Sequence, residues 1–314
     1  MTRIVIPDDA PPVMVHSAAY RRFCDRYPTD YHDTLPAGEQ ALIARIRDAS
    51  IAINIRSSCR FTAAVFAACP KLRMVSIWGT GTDNIDLASA AAHGVTVTNT
   101  PGVAAPSIAE HTLALLLAVA RKIPKLDAQV RQGQWPRGAM IQLTGKTVGV
   151  IGLGAIGQRF ARLAQGVGMK VVAWTMHPRD LGFELVELDR LLRESDVVSL
   201  HLRLSDQTRG FLGRDRIAAM KPGAILVNTA RGPIVDEAAM IEALKSGHLA
   251  GAGLDVFDVE PLPEGHPLAA VDNVVLSPHC AGITPEVLEA GLALSLENVE
   301  RFLADQPQHV VVAP

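Results

Sequence analysis

Between residues 146 and 279 a single alternation recurs: a short run rich in β-branched residues, a turn, then, in most repeats, a stretch with helical spacing. The runs are KTVGVIG at 146–152, KVVAW at 170–174, DVVSLHL at 196–202, GAILVNT at 223–229, AGAGLDVF at 250–257 and NVVLSPH at 273–279. Six such strands with helices between them specify an α/β fold with a parallel, doubly wound sheet. The helices carry their own punctuation. Asp236 is placed to cap one that ends near Lys245 with Gly247 just beyond, and GRDRIAAMKPG at 213–223 stops at a Pro-Gly pair.

The first hundred residues alternate less regularly, with strand-like RIVIP at 3–7, IAINI at 51–55, LRMVSIW at 72–78 and VTVTN at 95–99. Ser107 followed by Glu110 has the spacing of a capping box and predicts the start of a long helix linking two domains. Thr284 and Pro285 open another, whose Leu288, Leu292, Leu296, Val299 and Leu303 follow a three-and-four spacing. If that helix returns to the first domain, residues 101–283 form a Rossmann-type domain inserted in a smaller flavodoxin-like α/β domain made of 1–100 and 284–314. At 314 residues the chain has room for two cores without disulfide or metal staples.

Several function classes are excluded by composition. With 30 Lys and Arg against 32 Asp and Glu, there is no charge excess for general nucleic-acid or membrane-surface binding. Aromatic residues, at 4%, are too few for a base-stacking platform. Cys24, Cys59, Cys69 and Cys280 show no paired metal-site spacing, so reduced thiols and no metal are expected. The N-terminus is too polar for a signal peptide, and LALLLAVA at 113–120 is flanked by His111 and Arg121. A soluble, cytoplasmic protein is expected.

The chemistry starts at GLGAIG, residues 152–157, directly after a strand and opening the helical stretch GQRFARLAQ. In GxGxxG, Gly152 permits the tight turn, Gly154 lets the backbone approach a pyrophosphate and Gly157 lets helix and strand pack closely. The helix N-terminus then offers unpaired N–H groups to the phosphates. The nearby GKT at 145–147 is not a P-loop, which would need glycine where Met140 stands. Thr175, 23 residues beyond Gly152, occupies the strand end where a carboxylate would hold the ribose of NAD. An acid there would repel a 2′-phosphate. Its absence removes a barrier to NADP, and Arg179, His177 or Arg203 is available to attract the phosphate, so NADP(H) is slightly favoured over NAD(H).

Three further segments, VNTARGPIVDE at 227–237, GLDVFDVEPLP at 253–263 and LSPHCAGITPE at 276–286, complete a pattern with GLGAIG and with GTGTDNIDLASAAAHGVTVTNTPG at 79–102. From about residue 50 the chain resembles the D-isomer-specific 2-hydroxyacid dehydrogenases in motif order and spacing. The resemblance implies hydride transfer between a nicotinamide cofactor and a 2-oxo acid/D-2-hydroxy acid pair, in a cleft between domains. It places the family's catalytic trio on Arg231, Glu260 and His279. Each residue type suits its role. Hydride reaching a 2-oxo carbon leaves negative charge on oxygen, and histidine is the side chain that donates a proton near neutrality. A neighbouring carboxylate stabilises the protonated ring and fixes its tautomer. An arginine fork holds the substrate carboxylate or polarises its carbonyl. Taken singly, each residue also has a bland reading: a core or capping histidine, a solvated acid, a surface turn arginine.

Other positions follow from the same resemblance. Ala155 and Ile156 lie over the pyrophosphate, Thr229, Ala230 and Gly282 line the cofactor, and Asp255 contacts the carboxamide or else caps a strand end. The Gly79-Thr80-Gly81 loop binds the substrate carboxylate through backbone N–H groups. Trp78 either walls that pocket or packs in the core. Cys280 is either a reactive thiol beside the site or a small packing residue. Arg203 stands where the family usually has proline. The segment from Arg121 to Gly145, with Trp135 and Met140, resembles the arm through which members form twofold dimers, so a homodimer is expected. The competing reading from another class is an NAD(H)-sensing, corepressor-like scaffold of the same fold. An amino-acid dehydrogenase would need a lysine in the catalytic motifs, and none stands there.

Overall fold

Runs of β-branched residues form strands buried on both faces when helices cover each side of a parallel sheet, and two such sheets organise this chain. The structure is a computed structural model describing residues 2–314. It divides into two units, one of residues up to Ala104 with Ile283–Pro314, the other Ala105–Gly282.

The first unit has β1 (Ile4–Ile6), β2 (Thr29–Tyr31), β3 (Ile51–Asn54), β4 (Met74–Ile77), β5 (Thr96–Thr98) and a last strand, Val310–Val312. The parallel strands lie in the flavodoxin-like order β2-β1-β3-β4-β5, and the last strand adds antiparallel to β5. One face of the sheet carries Phe61, Val65, Phe66 and Ile85. The other packs on the helix Pro285–Leu303, started by Thr284 Oγ1 accepting from the Val287 N–H. Leu292 and Leu296 are buried there, each worth about 1.5–3 kcal/mol of transfer free energy. A Cβ at Gly291 would stand 2.4 Å from the Trp78 indole nitrogen, so Trp78 packs directly on this helix, the second of its two sequence readings.

The second unit has β6 (Thr147–Ile151), β7 (Lys170–Trp174), β8 (Glu184–Leu185), β9 (Val197–Leu200), β10 (Ala224–Asn228), β11 (Leu249–Leu254) and β12 (Val274–Leu276). All are parallel, in the order β12-β11-β10-β9-β6-β7-β8. The connection reverses between β6 and β9, which in doubly wound sheets places the ligand crevice at the carboxyl ends of those strands. The expected six strands become seven. The added β8 is two exposed residues held by backbone pairing to Val172 and Ala173, and carries no burial pattern to read.

Asp236 accepts from the Ala239 N–H, and Gly247 ends the helix Glu237–Ser246 in the left-handed region, as the sequence indicates. The capping box at Ser107 is corrected. The helix runs Ala105–Ala120, with Pro106 in its first turn, and Ser107 lies inside it, donating instead to the Ala281 carbonyl at 2.7 Å. No described helix is long and apolar enough to cross a membrane.

Candidate active site

At the end of β6 the three glycines do different work. Gly152 sits at φ +100°, and a Cβ there would stand 2.7 Å from the His201 carbonyl oxygen. A Cβ at Gly157 would stand 2.0 Å from the Gly152 carbonyl oxygen, so only glycine lets the helix Ala155–Gly166 start this close to the strand. Gly154 caps that helix without a side-chain hydrogen bond, is exposed together with Ala155, and would give a Cβ nothing to touch within 4 Å. That opening, ringed by the donor end of a twelve-residue helix, fits a pyrophosphate. Beneath the turn lies His201, which sequence reasoning passed over. Burial pushes its pKa down to about 3, so the ring backing the turn is neutral, with Nε2 2.9 Å from Ser199 Oγ.

Thr175 is half-buried immediately beyond β7, and His177, Arg179 and Arg203 are exposed. Thr229 is buried and Ala230 half-buried after β10, and Gly282 closes the second unit.

The three candidate catalytic residues follow three neighbouring strands, β10, β11 and β12. Arg231 is held by a tight turn: Asn228 accepts from the Ala230 N–H and donates to the Arg231 carbonyl. A Cβ at Gly232 would stand 2.0 Å from the Phe257 carbonyl carbon, which locks this turn against the segment leading to Glu260. Glu260 Oε1 accepts from the Phe257 N–H at 3.0 Å, and Oε2 lies 2.6 Å from His279 Nδ1. Both side chains are about one-third exposed, at 34% and 37%. Burial pushes the Glu260 carboxyl up, but the hydrogen bond and charge of His279, the Phe257 N–H and Arg231 outweigh it and hold the group below its usual value. The arrangement puts an imidazole in hydrogen-bond contact with a carboxylate and an arginine close enough to support that carboxylate, which is what a side-chain proton donor requires.

Asp255 is buried, and both oxygens serve the loop that carries His279. Oδ1 accepts from Ser277 Oγ and the Cys280 N–H, and Oδ2 from the Ala281 N–H. These are the bonds of a strand-end cap. Burial and Asp255 push the Cys280 thiol up, which disfavours the reactive thiolate. His111, read from sequence only as the flank of an apolar run, joins this network. It lies 2.9 Å from Ser277 Oγ and 3.5 Å from Asp255 Oδ1. Ligand atoms of His111, Asp255 and Cys280 fall within 4.8 Å of one another, but the Asp255 oxygens already take up N–H and O–H donors. In the first unit, the Gly79 N–H donates to Thr100 Oγ1 at 2.8 Å, which engages one of the three loop donors expected for the substrate.

A doubly wound sheet with this glycine turn and this trio defines a dinucleotide-dependent oxidoreductase. Residues 113–281 match the NAD-binding domain of the D-isomer-specific 2-hydroxyacid dehydrogenases. The chain is 40% identical over 283 residues to a glyoxylate reductase of Korarchaeum cryptofilum (strain OPF8), covering 87% of this chain and 85% of that one. Among solved structures it is similar to the TT0316 protein of Thermus thermophilus, with TM-score 0.90 and 38% identity over 99% of this chain and 100% of that one. It is also similar to an acyclic imino acid reductase, Bsp5, solved in complex with NADPH and D-Arg, with TM-score 0.92 and 30% identity over the same shares. The chain belongs to the D-isomer-specific 2-hydroxyacid dehydrogenase family. It is an NAD(P)-dependent oxidoreductase that transfers a hydride between a nicotinamide cofactor and a 2-oxo acid/D-2-hydroxy acid pair.

Proposed function

We propose that the chain reduces a small 2-oxo acid, glyoxylate first among the candidates, with His279, Glu260 and Arg231 as its catalytic residues. The observation carrying this reading is the 2.6 Å contact between His279 Nδ1 and Glu260 Oε2. With Nδ1 committed, Nε2 is the ring atom left to give its proton to the developing alkoxide, while Glu260 stabilises the charged ring. Arg231 orients the substrate and polarises its carbonyl. In the first unit, the Thr80 and Gly81 N–H groups hold the substrate carboxylate. The bound nicotinamide supplies the hydride. Ala155 and Ile156 at the helix N-terminus hold its pyrophosphate, and Thr229, Ala230 and Gly282 line its site; Asp255 acts on the cofactor side by holding the 277–281 loop. The test is NADH and NADPH oxidation against glyoxylate, hydroxypyruvate, pyruvate and longer 2-oxo acids. Turnover of none would overturn the reading and leave the cofactor-sensing scaffold in its place. Repeating the panel with an added amine separates oxo-acid from imino-acid reduction.

NADPH is proposed to serve at least as well as NADH, because Thr175 leaves no carboxylate to repel a 2′-phosphate, His177 and Arg179 are exposed close by in sequence, and Arg203 is exposed after β9. The relative Bsp5, solved with NADPH, supports the choice. Thr175→Asp is expected to lower the NADPH-to-NADH ratio of kcat/KM by about tenfold or more, since about 1.4 kcal/mol of repulsion gives that factor. An unchanged ratio, or a wild type already preferring NADH a hundredfold, shows that this strand end does not choose the cofactor.

A homodimer is proposed from the surface of residues 121–145. The helix Ile123–Arg131 buries none of its residues, and Ile123, Val130, Trp135 and Met140 are exposed, Trp135 at 75%. Light scattering at micromolar concentration is expected to give twice 33.5 kDa; the monomer mass would contradict it.

A further inference from the structure

The helix Ala105–Ala120 is apolar along most of its length, yet it carries Ser107, His111 and Thr112, and each of the three reaches a loop bearing a candidate catalytic residue. Thr112 Oγ1 lies 2.8 Å from Thr229 Oγ1, two residues before Arg231. Ser107 and His111, four residues apart and so on one face, hold the two ends of the 277–281 loop. Ser107 Oγ donates to the Ala281 carbonyl at 2.7 Å, and His111 Nε2 lies 2.9 Å from Ser277 Oγ.

This loop needs holding. His279 sits at φ +50°, a left-handed conformation that costs a non-glycine residue about 1–3 kcal/mol. Its N–H donates to the Asp255 and Ser277 carbonyls at 2.8 and 3.1 Å, and the next two N–H groups go to the Asp255 carboxylate. Those bonds, with His111 and Ser277, outweigh burial and hold the Asp255 carboxyl below its usual value, so it is ionised and only accepts. Ser277 has one hydroxyl hydrogen, which goes to Asp255 Oδ1 at 2.7 Å. Its oxygen therefore accepts from His111, and Nε2 of His111 carries a hydrogen. The chain of donors runs one way, from His111 to Ser277 to Asp255.

We propose that His111 is a positioning residue of the reaction: its Nε2–H locks the Ser277 hydroxyl onto Asp255 and so fixes the loop that aims His279 at the substrate. The proposal rests on the assignment of His279 above. Without the donor, the Ser277 oxygen loses its partner, its own bond to Asp255 is no longer reinforced from the helix, and the loop loses one of its ties. A displacement of a catalytic group by about 1 Å is enough to cost on the order of 10²-fold in rate.

The experiment compares wild type, His111→Leu, His111→Gln and Ser277→Ala by steady-state kinetics, cofactor titration and amide hydrogen exchange over residues 277–281. His111→Leu is expected to lower kcat about tenfold or more, change cofactor affinity less than about threefold, and speed exchange at Cys280 and Ala281. His111→Gln, which keeps an N–H donor, is expected to restore both readouts most of the way. Ser277→Ala is expected to match His111→Leu, and combining the two to add little, because both break the same chain. Should His111→Leu fail to fold, Ser277→Ala and His111→Gln carry the comparison. Unchanged kcat in the Leu or Ala variant, unchanged exchange, or a Gln variant as impaired as the Leu variant overturns the proposal. A wild type that reduces no 2-oxo acid removes the role assigned to His279 and with it the catalytic half of the proposal. Exchange then still decides separately whether His111 holds the loop.

Discussion

Replacing His279 by alanine is expected to lower kcat by about 10²-fold or more while leaving cofactor affinity nearly unchanged, the usual scale for losing a general acid. The geometry confines the effect to chemistry. The ring is one-third exposed, its Nδ1 is tied to Glu260 and its backbone N–H to Asp255 and Ser277, so the alanine variant keeps the loop's main-chain bonds. What it loses is the proton donor and the partner of the Glu260 carboxylate. The Glu260 carboxyl is held below its usual value, so it stays an ionised acceptor for the ring across the neutral range and loses that role only as pH falls through the lowered value. Steady-state rates and a cofactor titration check the expectation together. An alanine variant with near-wild-type turnover on every acid the wild type reduces would remove His279 from the mechanism.

The interior strands were legible because burial writes itself into sequence. β9 and β10 are buried at every position, and their Val, Ile and Leu content announces it. The edge strands were not. Thr29–Tyr31, Glu184–Leu185 and Val310–Val312 are partly or wholly exposed and belong to their sheets through backbone pairing, which leaves little side-chain signature. Ser107 failed for a different reason. Ser-x-x-Glu is a capping pattern wherever it stands, and only the structure shows that Pro106 already sits in the first turn and that the hydroxyl is spent on Ala281. Glu260 and His279 are 19 residues apart, so their contact could be named from motifs but acquires its distance only when β11 and β12 pair. His111 left no motif, only a polar residue at the head of an apolar run, where the ordinary reading is the end of a buried stretch.

Arg231→Lys separates charge from shape at the second catalytic position. The backbone on either side is fixed, by the Asn228 side chain before it and by Gly232 closed against Phe257 after it, so the variant's side chain starts from the same place. Arg231 Nη1 donates to the Ala230 carbonyl at 2.7 Å, which sets the plane of the fork. Lysine keeps a positive charge near Glu260 and therefore most of the electrostatic support for that carboxylate, but it presents a point charge without paired N–H groups. The expected result is a higher KM for the oxo acid and a kcat/KM lower by about 10²-fold, with cofactor affinity unchanged. Loss of two charge-assisted hydrogen bonds at about 1.5 kcal/mol each is sufficient for that factor. Arg231→Gln, which removes the charge as well, is expected to fall further, and the gap between the two variants measures what charge alone contributes. Kinetics of Arg231→Lys equal to wild type would show that the fork does not touch the substrate.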